Sequence, residues 1–121
     1  LSTTIKPNRG EIWLVNLEPT VGAEIRKTRP VVVISSDAIG KLPIKLIAPI
    51  TDWKPYFEEN IWHIKIEPDS INGLSKVSAI DTLQLRGLDT TRFIRQLGKL
   101  TEDLMIEITI AIALVIEYTP E

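Results

Sequence analysis

GAEIRKTRPVVVIS, residues Gly22–Ser35, passes from a short basic loop straight into an unbroken apolar run. Proline cannot donate to a sheet ladder but is tolerated at the first residue of a strand. Pro30 therefore marks the expected start of a strand through Val31, Val32, Val33 and Ile34. Four consecutive apolar residues imply burial on both faces. The loop before them carries Arg26, Lys27 and Arg29. Arg29, beside rigid strand backbone at a sheet rim, is well placed to grip an anion.

Reading outward toward the N-terminus, Glu11–Leu17 has strand character and ends at Glu18-Pro19. Thr20–Thr28 is then a connection long enough to be functional. Toward the C-terminus, Asp37–Pro43 is a turn and Ile44–Thr51 a third strand, interrupted at Pro49. Asp52–Asn60 (DWKPYFEEN) is too long for a tight hairpin. Ile61–Glu67 alternates, with Trp62, Ile64 and Ile66 on one face and His63, Lys65 and Glu67 on the other, which predicts His63 at the surface. Trp13 and Trp62 read as core. Pro68–Gly73 turns the chain into a strand over Ser75–Leu85, closed by Arg86–Asp89. Asp89 or Thr90 suits the N-cap of a short helix near Thr91–Ile94, and Arg95–Leu100 a last short strand.

The clearest helix is Thr101–Glu117, with Thr101 as N-cap and Glu102 and Asp103 at the positive end of the helix dipole. Leu104, Ile108, Ala111, Ile112 and Val115 share one face. Ile106, Ile110, Ala113 and Leu114 are apolar as well, which predicts a second contact surface such as another subunit. Five or six short strands, long rim loops and one terminal helix read as a mainly β fold with α, a small, strongly bent antiparallel sheet or barrel.

At 121 residues the chain is expected to be one domain, and 44% hydrophobic and 25% charged residues are ordinary for a soluble globular protein. The absence of cysteine excludes disulfides and thiolate metal sites and makes the cytosol the expected compartment. A single histidine excludes a histidine-built metal site within one chain. A net charge of −2 points away from a general nucleic-acid binder, so any such contact must use a local patch. The N-terminus lacks the order of a signal peptide, and Ile108–Ile116 is too short to span a bilayer.

Several segments, taken in order, carry a resemblance. They are Arg9-Gly10-Glu11-Ile12-Trp13, Pro19-Thr20-Val21-Gly22-Ala23-Glu24, Arg29-Pro30-Val31-Val32-Val33-Ile34-Ser35, Ala48-Pro49-Ile50-Thr51, and Gln84-Leu85-Arg86 with Leu88-Asp89. Over nearly the whole chain this order resembles the MazF/PemK family of toxin endoribonucleases. The resemblance implies an SH3-like small barrel shared with plasmid-maintenance toxins, with residues 9–118 as the toxin domain, 1–8 as an N-terminal extension and 119–121 as a tail. It further implies a homodimer that cleaves single-stranded RNA at short preferred sequences without metal or other cofactor. A cognate antitoxin protein would block the RNA groove, and DNA would be reached only through that antitoxin.

Family catalytic positions fall on Arg29 and Thr51, with Glu24 and Gln84 in the motif set. Two departures stand out: Ile25-Arg26-Lys27 replaces small or neutral residues, and Leu83 stands where relatives often carry a carboxylate. Asp81 shares a strand face with Leu83 and is the nearest substitute acid.

Metal-free RNA cleavage uses the neighbouring 2′-hydroxyl as nucleophile. Arg29 suits stabilisation of charge on phosphorus, because a guanidinium matches phosphate bidentately. The competing reading is a structural ion pair with Glu24. Thr51 can hold a phosphate oxygen, whereas an isolated strand threonine reports only β-propensity. Glu24 either accepts the 2′-hydroxyl proton or orients Arg29. Gln84 either reads a base edge or caps a loop. Arg26, Lys27, Lys54, Lys76 and Arg86 can track an RNA backbone, against the plainer reading of scattered surface charge. Trp53, Tyr56 and Phe57 can stack on bases or cover the barrel end. From a different class, a non-catalytic SH3-like binding module such as a gyrase-binding toxin or a repressor partner remains the alternative.

Overall fold

The strand containing Pro30 begins two residues before the proline. In the computed structural model, which describes residues 5–119, β1 (Glu11–Asn16) pairs antiparallel with β2 (Thr28–Val33), and Arg29 faces Val15 across the ladder. Pro30 is accommodated opposite Leu14, while Val31, Val32 and Val33 are fully buried as their sequence implied. The expectations for residues 1–4 and 120–121 lie outside the described residues.

β3 (Ile44–Asp52) is the spine of the sheet. One edge pairs with β2. The other pairs first with β6 (Arg86–Asp89) and then with β5 (Ser78–Asp81). β4 (His63–Ile66) extends β5, and β7 (Phe93–Lys99) extends β1. The order is β4-β5-β3-β2-β1-β7, with β6 beside β3. All seven strands pair antiparallel, and the hydrogen-bonded ladder stays open rather than closing into a barrel.

Two segments differ from their sequence reading. The long strand over Ser75–Leu85 is cut to β5 because Asp81 caps a 3-10 turn (Thr82–Gln84), accepting from the Leu83 N–H. Arg86–Asp89 is a strand, not a closing turn. Its only buried side chain is Leu88, so it carries no period, and its pairing is set by the free edge of β3.

Alternation along β2 and β3 sends residues to two cores. Val32, Ala48 and Ile50 join Met105 and Ile108 of the terminal helix α1 (Glu102–Val115). Val31, Val33 and Ile47 pack on the other side with Trp13, Val15, Leu17, Leu88 and Phe93. Thr101 caps α1 by accepting from the Leu104 N–H at 3.3 Å. Ile106, Ile110 and Leu114 remain more than half exposed, along the stripe that the sequence marked as excess apolar surface. Asp89, accepting from Thr91 N–H, caps a 3-10 turn over Thr90–Arg92 where a short helix was expected.

Candidate active site

The β2–β3 ladder runs Val33↔Ile47, Val32↔Ala48, Val31↔Pro49 and stops there. Beyond it Ile50, Thr51 and Asp52 pair with β5 on the far edge, while Thr28, Arg29 and Pro30 pair with β1. Pro30 and Pro49 stand at the point of divergence, and neither has an N–H to extend a ladder. The strands therefore part and leave a cleft of about 390 Å³, whose lining includes Arg29, Thr51, Asp52, Lys76, Ser78 and Arg95. Arg29 and Thr51 each lie two residues past the last pair, and alternation puts both on the side away from α1.

Charge in this cleft is predominantly positive. Lys76 is neutralised by Asp52, with Nζ–Oδ1 at 3.2 Å. Arg29 donates from Nε to the Arg26 carbonyl at 3.3 Å, and among the described residues neither it nor Arg95 has a carboxylate within 4.0 Å. Arg95 was missed in the sequence because it stands alone in a weakly patterned strand. Its place is set by pairing with Leu14.

Glu24 lies elsewhere. Its carboxylate accepts the Val21 N–H at 2.6 Å and makes no ion pair with Arg29. It lines a second cleft of about 270 Å³ with Ile25, Pro49, Gln84 and Arg86. Pro49 and Thr51 are two apart on β3, so the two clefts open on the same side of that strand.

Gln84 and Arg86 brace the loop between β1 and β2. Gln84 accepts the Ile25 N–H through Oε1 at 2.7 Å and donates through Nε2 to Asp81 at 3.1 Å. Arg86 donates to the Leu17 carbonyl at 3.0 Å. Arg26 is exposed, donating to Thr20 Oγ1 at 3.4 Å and lying 3.9 Å from the Glu18 carboxylate. Lys27 takes a positive φ of 72° and donates its backbone N–H to Glu18. That bond is the main reason the Glu18 carboxyl titrates below its ordinary value, with Thr20 and Arg26 adding to it.

The aromatic loop is largely self-satisfied. Trp53 sits edge-on to Phe57 with Lys65 Nζ 5.3 Å from its ring, and Lys54 beside it is exposed. Tyr56, 74% exposed, is the open ring. His63, expected at the surface, is instead enclosed. Phe57 stacks on it with centroids 3.8 Å apart, and its side chain is only 7% exposed. The turn over Pro55–Phe57 folds back across the outer face of β4, which alternation alone could not reveal. His63 Nε2 lies 3.6 Å from its cross-strand partner Asp81, and Asn60 Nδ2 lies 3.1 Å from Nδ1. Burial pushes the His63 pKa down, and Asp81 opposes that in part. Asp81 is itself buried, bonded to Leu83 and Gln84, and absent from both cleft linings. Trp62 is half-buried rather than core.

Among the described residues, no helix is long and apolar enough to cross a membrane. Residues 8–116 match the family model described as PemK-like, MazF-like toxin of type II toxin–antitoxin system. A curated relative, endoribonuclease MazF of Staphylococcus epidermidis, is 37% identical over 101 residues, covering 83% of this chain and 82% of its own. The fold superposes on the crystal structure of MazF from Deinococcus radiodurans with a TM-score of 0.79 at 22% identity, covering 94% of this chain and 99% of that one. A mycobacterial endoribonuclease in complex with its cognate antitoxin gives 0.74 at 16% identity, covering 96% of this chain and all of that one. With the family model spanning the whole sheet and α1, this chain belongs to the PemK-like, MazF-like toxins of type II toxin–antitoxin systems.

Proposed function

We propose that this chain, through a toxin domain over residues 9–118, is a metal-independent endoribonuclease that cuts single-stranded RNA at preferred sequences in the cytosol. The observation that carries this reading is the shared cleft of Arg29 and Thr51, opened where the β2–β3 ladder ends. Attack of a 2′-hydroxyl on the adjacent phosphorus forms the O2′–P bond and breaks the P–O5′ bond, giving a 2′,3′-cyclic phosphate and, with a proton from water on the leaving O5′, a 5′-hydroxyl. Arg29, without a competing carboxylate, stabilises the added charge on phosphorus. The Thr51 hydroxyl donates to a phosphate oxygen and fixes the scissile group against Arg29.

Glu24 is the proton acceptor in this reading. It reaches the reaction only if the exposed loop holding it moves from the second cleft toward the first. Arg26, Lys27 and Lys54 are the proposed backbone contacts, with Gln84 and Arg86 flanking the second cleft and Trp53 at the aromatic rim. A homodimer through the exposed apolar stripe of α1 and an antitoxin protein are the proposed partners, the latter by analogy with the mycobacterial complex, with DNA reached only through that antitoxin. The activity named for the 37% identical relative favours this enzyme over a non-catalytic binding module.

Incubating the purified protein with a long single-stranded RNA in EDTA, and mapping fragment ends, tests the reading. Discrete cuts bearing cyclic phosphates, lost in Arg29→Ala, are expected. Intact RNA from folded protein, or unchanged cutting by Arg29→Ala, overturns it.

A further inference from the structure

A cavity larger than the Arg29–Thr51 cleft lies elsewhere in the fold. About 460 Å³ of space lies at the opposite end of β3, among the N-terminal segment, the turn after β2 and the first residues of β3. Three lysines line it, Lys6, Lys41 and Lys45, against one acid, Asp37, whose Oδ1 is already taken by the Arg9 N–H at 2.8 Å. Among the described residues no carboxylate lies within 4.0 Å of any of the three.

Lys45 is the unusual member. It is only 8% exposed, and lysine is almost never so enclosed unless its charge is paired. The lining also includes the apolar residues Ile5, Leu42 and Pro43. Thr51 lies six positions along the strand from Lys45, roughly 20 Å, so this space is distinct from the cleft that holds Arg29.

We propose that this cavity is a phosphate-binding subsite for a nucleotide, with the phosphate on Lys6, Lys41 and Lys45 and the base or sugar against Leu42 and Pro43. Lysine serves phosphate as a point charge, and a phosphomonoester near neutral pH brings close to two negative charges to a site that lacks them. The volume falls in the usual range for small-molecule sites. The same chemistry is offered by a free mononucleotide or by a phosphate of a bound RNA chain. The subsite does not depend on the cleavage reading, because binding alone reports it.

The test is calorimetric titration of the full chain with 5′-AMP, with adenosine, and with a DNA oligonucleotide, which lacks the attacking hydroxyl. AMP is expected to bind and adenosine to bind at least tenfold more weakly. Lys45→Met should weaken AMP by tenfold or more, and Lys41→Gln, on the exposed turn, by several-fold. If Lys45→Met also weakens the oligonucleotide and lowers its salt slope by about one, a chain phosphate occupies the subsite. If only AMP is weakened, the ligand is a free nucleotide. Equal binding of AMP and adenosine overturns the proposal. So does indifference of both AMP and oligonucleotide to both lysine changes, which would leave Lys45 as a side chain merely threading its ammonium to solvent.

Discussion

Gln84 holds the backbone N–H of Ile25 at 2.7 Å across 59 residues of sequence, and its other end is held by Asp81 at 3.1 Å. The loop that carries Glu24 and Arg26 is thus tethered to a buried carboxylate beside His63. Arg86 holds the start of the same loop at the Leu17 carbonyl, so loss of the Gln84 bond frees the Glu24–Arg26 part without disturbing the sheet.

Gln84→Ala should therefore act on the loop before it acts on the fold. Leaving the half-buried Ile25 amide without its partner is expected to cost about 1–3 kcal/mol. Hydrogen exchange should speed at Ile25 and its neighbours while the β2 and β3 amides stay protected. For RNA cleavage, KM should rise more than kcat falls. Unchanged exchange at Ile25 would show that the bond does not hold the loop.

Thr51 separates positioning from β-propensity. Thr51→Val keeps the β-branch and shape but removes the hydroxyl, so stability should barely change while kcat falls about 100-fold, the usual size for losing one oriented donor. Thr51→Ser should retain most activity. Equal loss in both variants would point to packing rather than the hydroxyl.

His63 gives stability a pH dependence whose sign follows from its lowered pKa. The unfolded chain takes up a proton at the ordinary histidine value near 6.5, and the folded chain resists it. Below that value the unfolded state binds more protons. The stabilising contribution is therefore complete above about pH 6.5 and is lost as pH falls through and beneath it. Urea unfolding at pH 7.5 and pH 5.5 should show this loss, and His63→Phe, removing the only histidine, should flatten it. Glu18 and Asp89, both with lowered carboxyl pKa values, contribute in full above the ordinary carboxylate range and lose that contribution only as pH falls through it and below.

Much of this was legible in the residues, for physical reasons that differ by element. The Val31–Ile34 run and the Thr101 cap are local signals, and the strand and helix they announced are present. Motif order singled out Arg29 and Thr51, and both line the cleft where the β2–β3 ladder ends. What failed was non-local. His63 alternates outward on β4, but Phe57 arrives from another segment to cover it. Leu88 is the only buried side chain of β6, so nothing in Arg86–Asp89 foretold its pairing with β3. The enclosure of Lys45 likewise comes from three separated segments meeting.

Gly98 offers a test of a close backbone approach against the sheet. It lies in β7 opposite Ile12, where the turn around Asn72 crosses against the strand, and Lys99 N–H donates to the Ile71 carbonyl at 3.1 Å. A Cβ at Gly98 would sit 2.3 Å from Ile71 O and 2.4 Å from the Asn72 carbonyl carbon. These are backbone atoms, and Asn72 is buried with its side chain bonded to Glu67 O, Asp69 N and Leu74 N. No flexible group can yield, so Gly98→Ala must push two segments apart and is expected to cost about 3 kcal/mol, the upper end for overpacking. Gly40 provides the contrast. Its φ of +69° strains any other residue, but no atom lies within 4 Å of its Cβ position, so Gly40→Ala should cost only about 1 kcal/mol. Chemical denaturation of the two variants side by side distinguishes steric from conformational cost. Equal destabilisation would mean that the Asn72 turn can move away from β7.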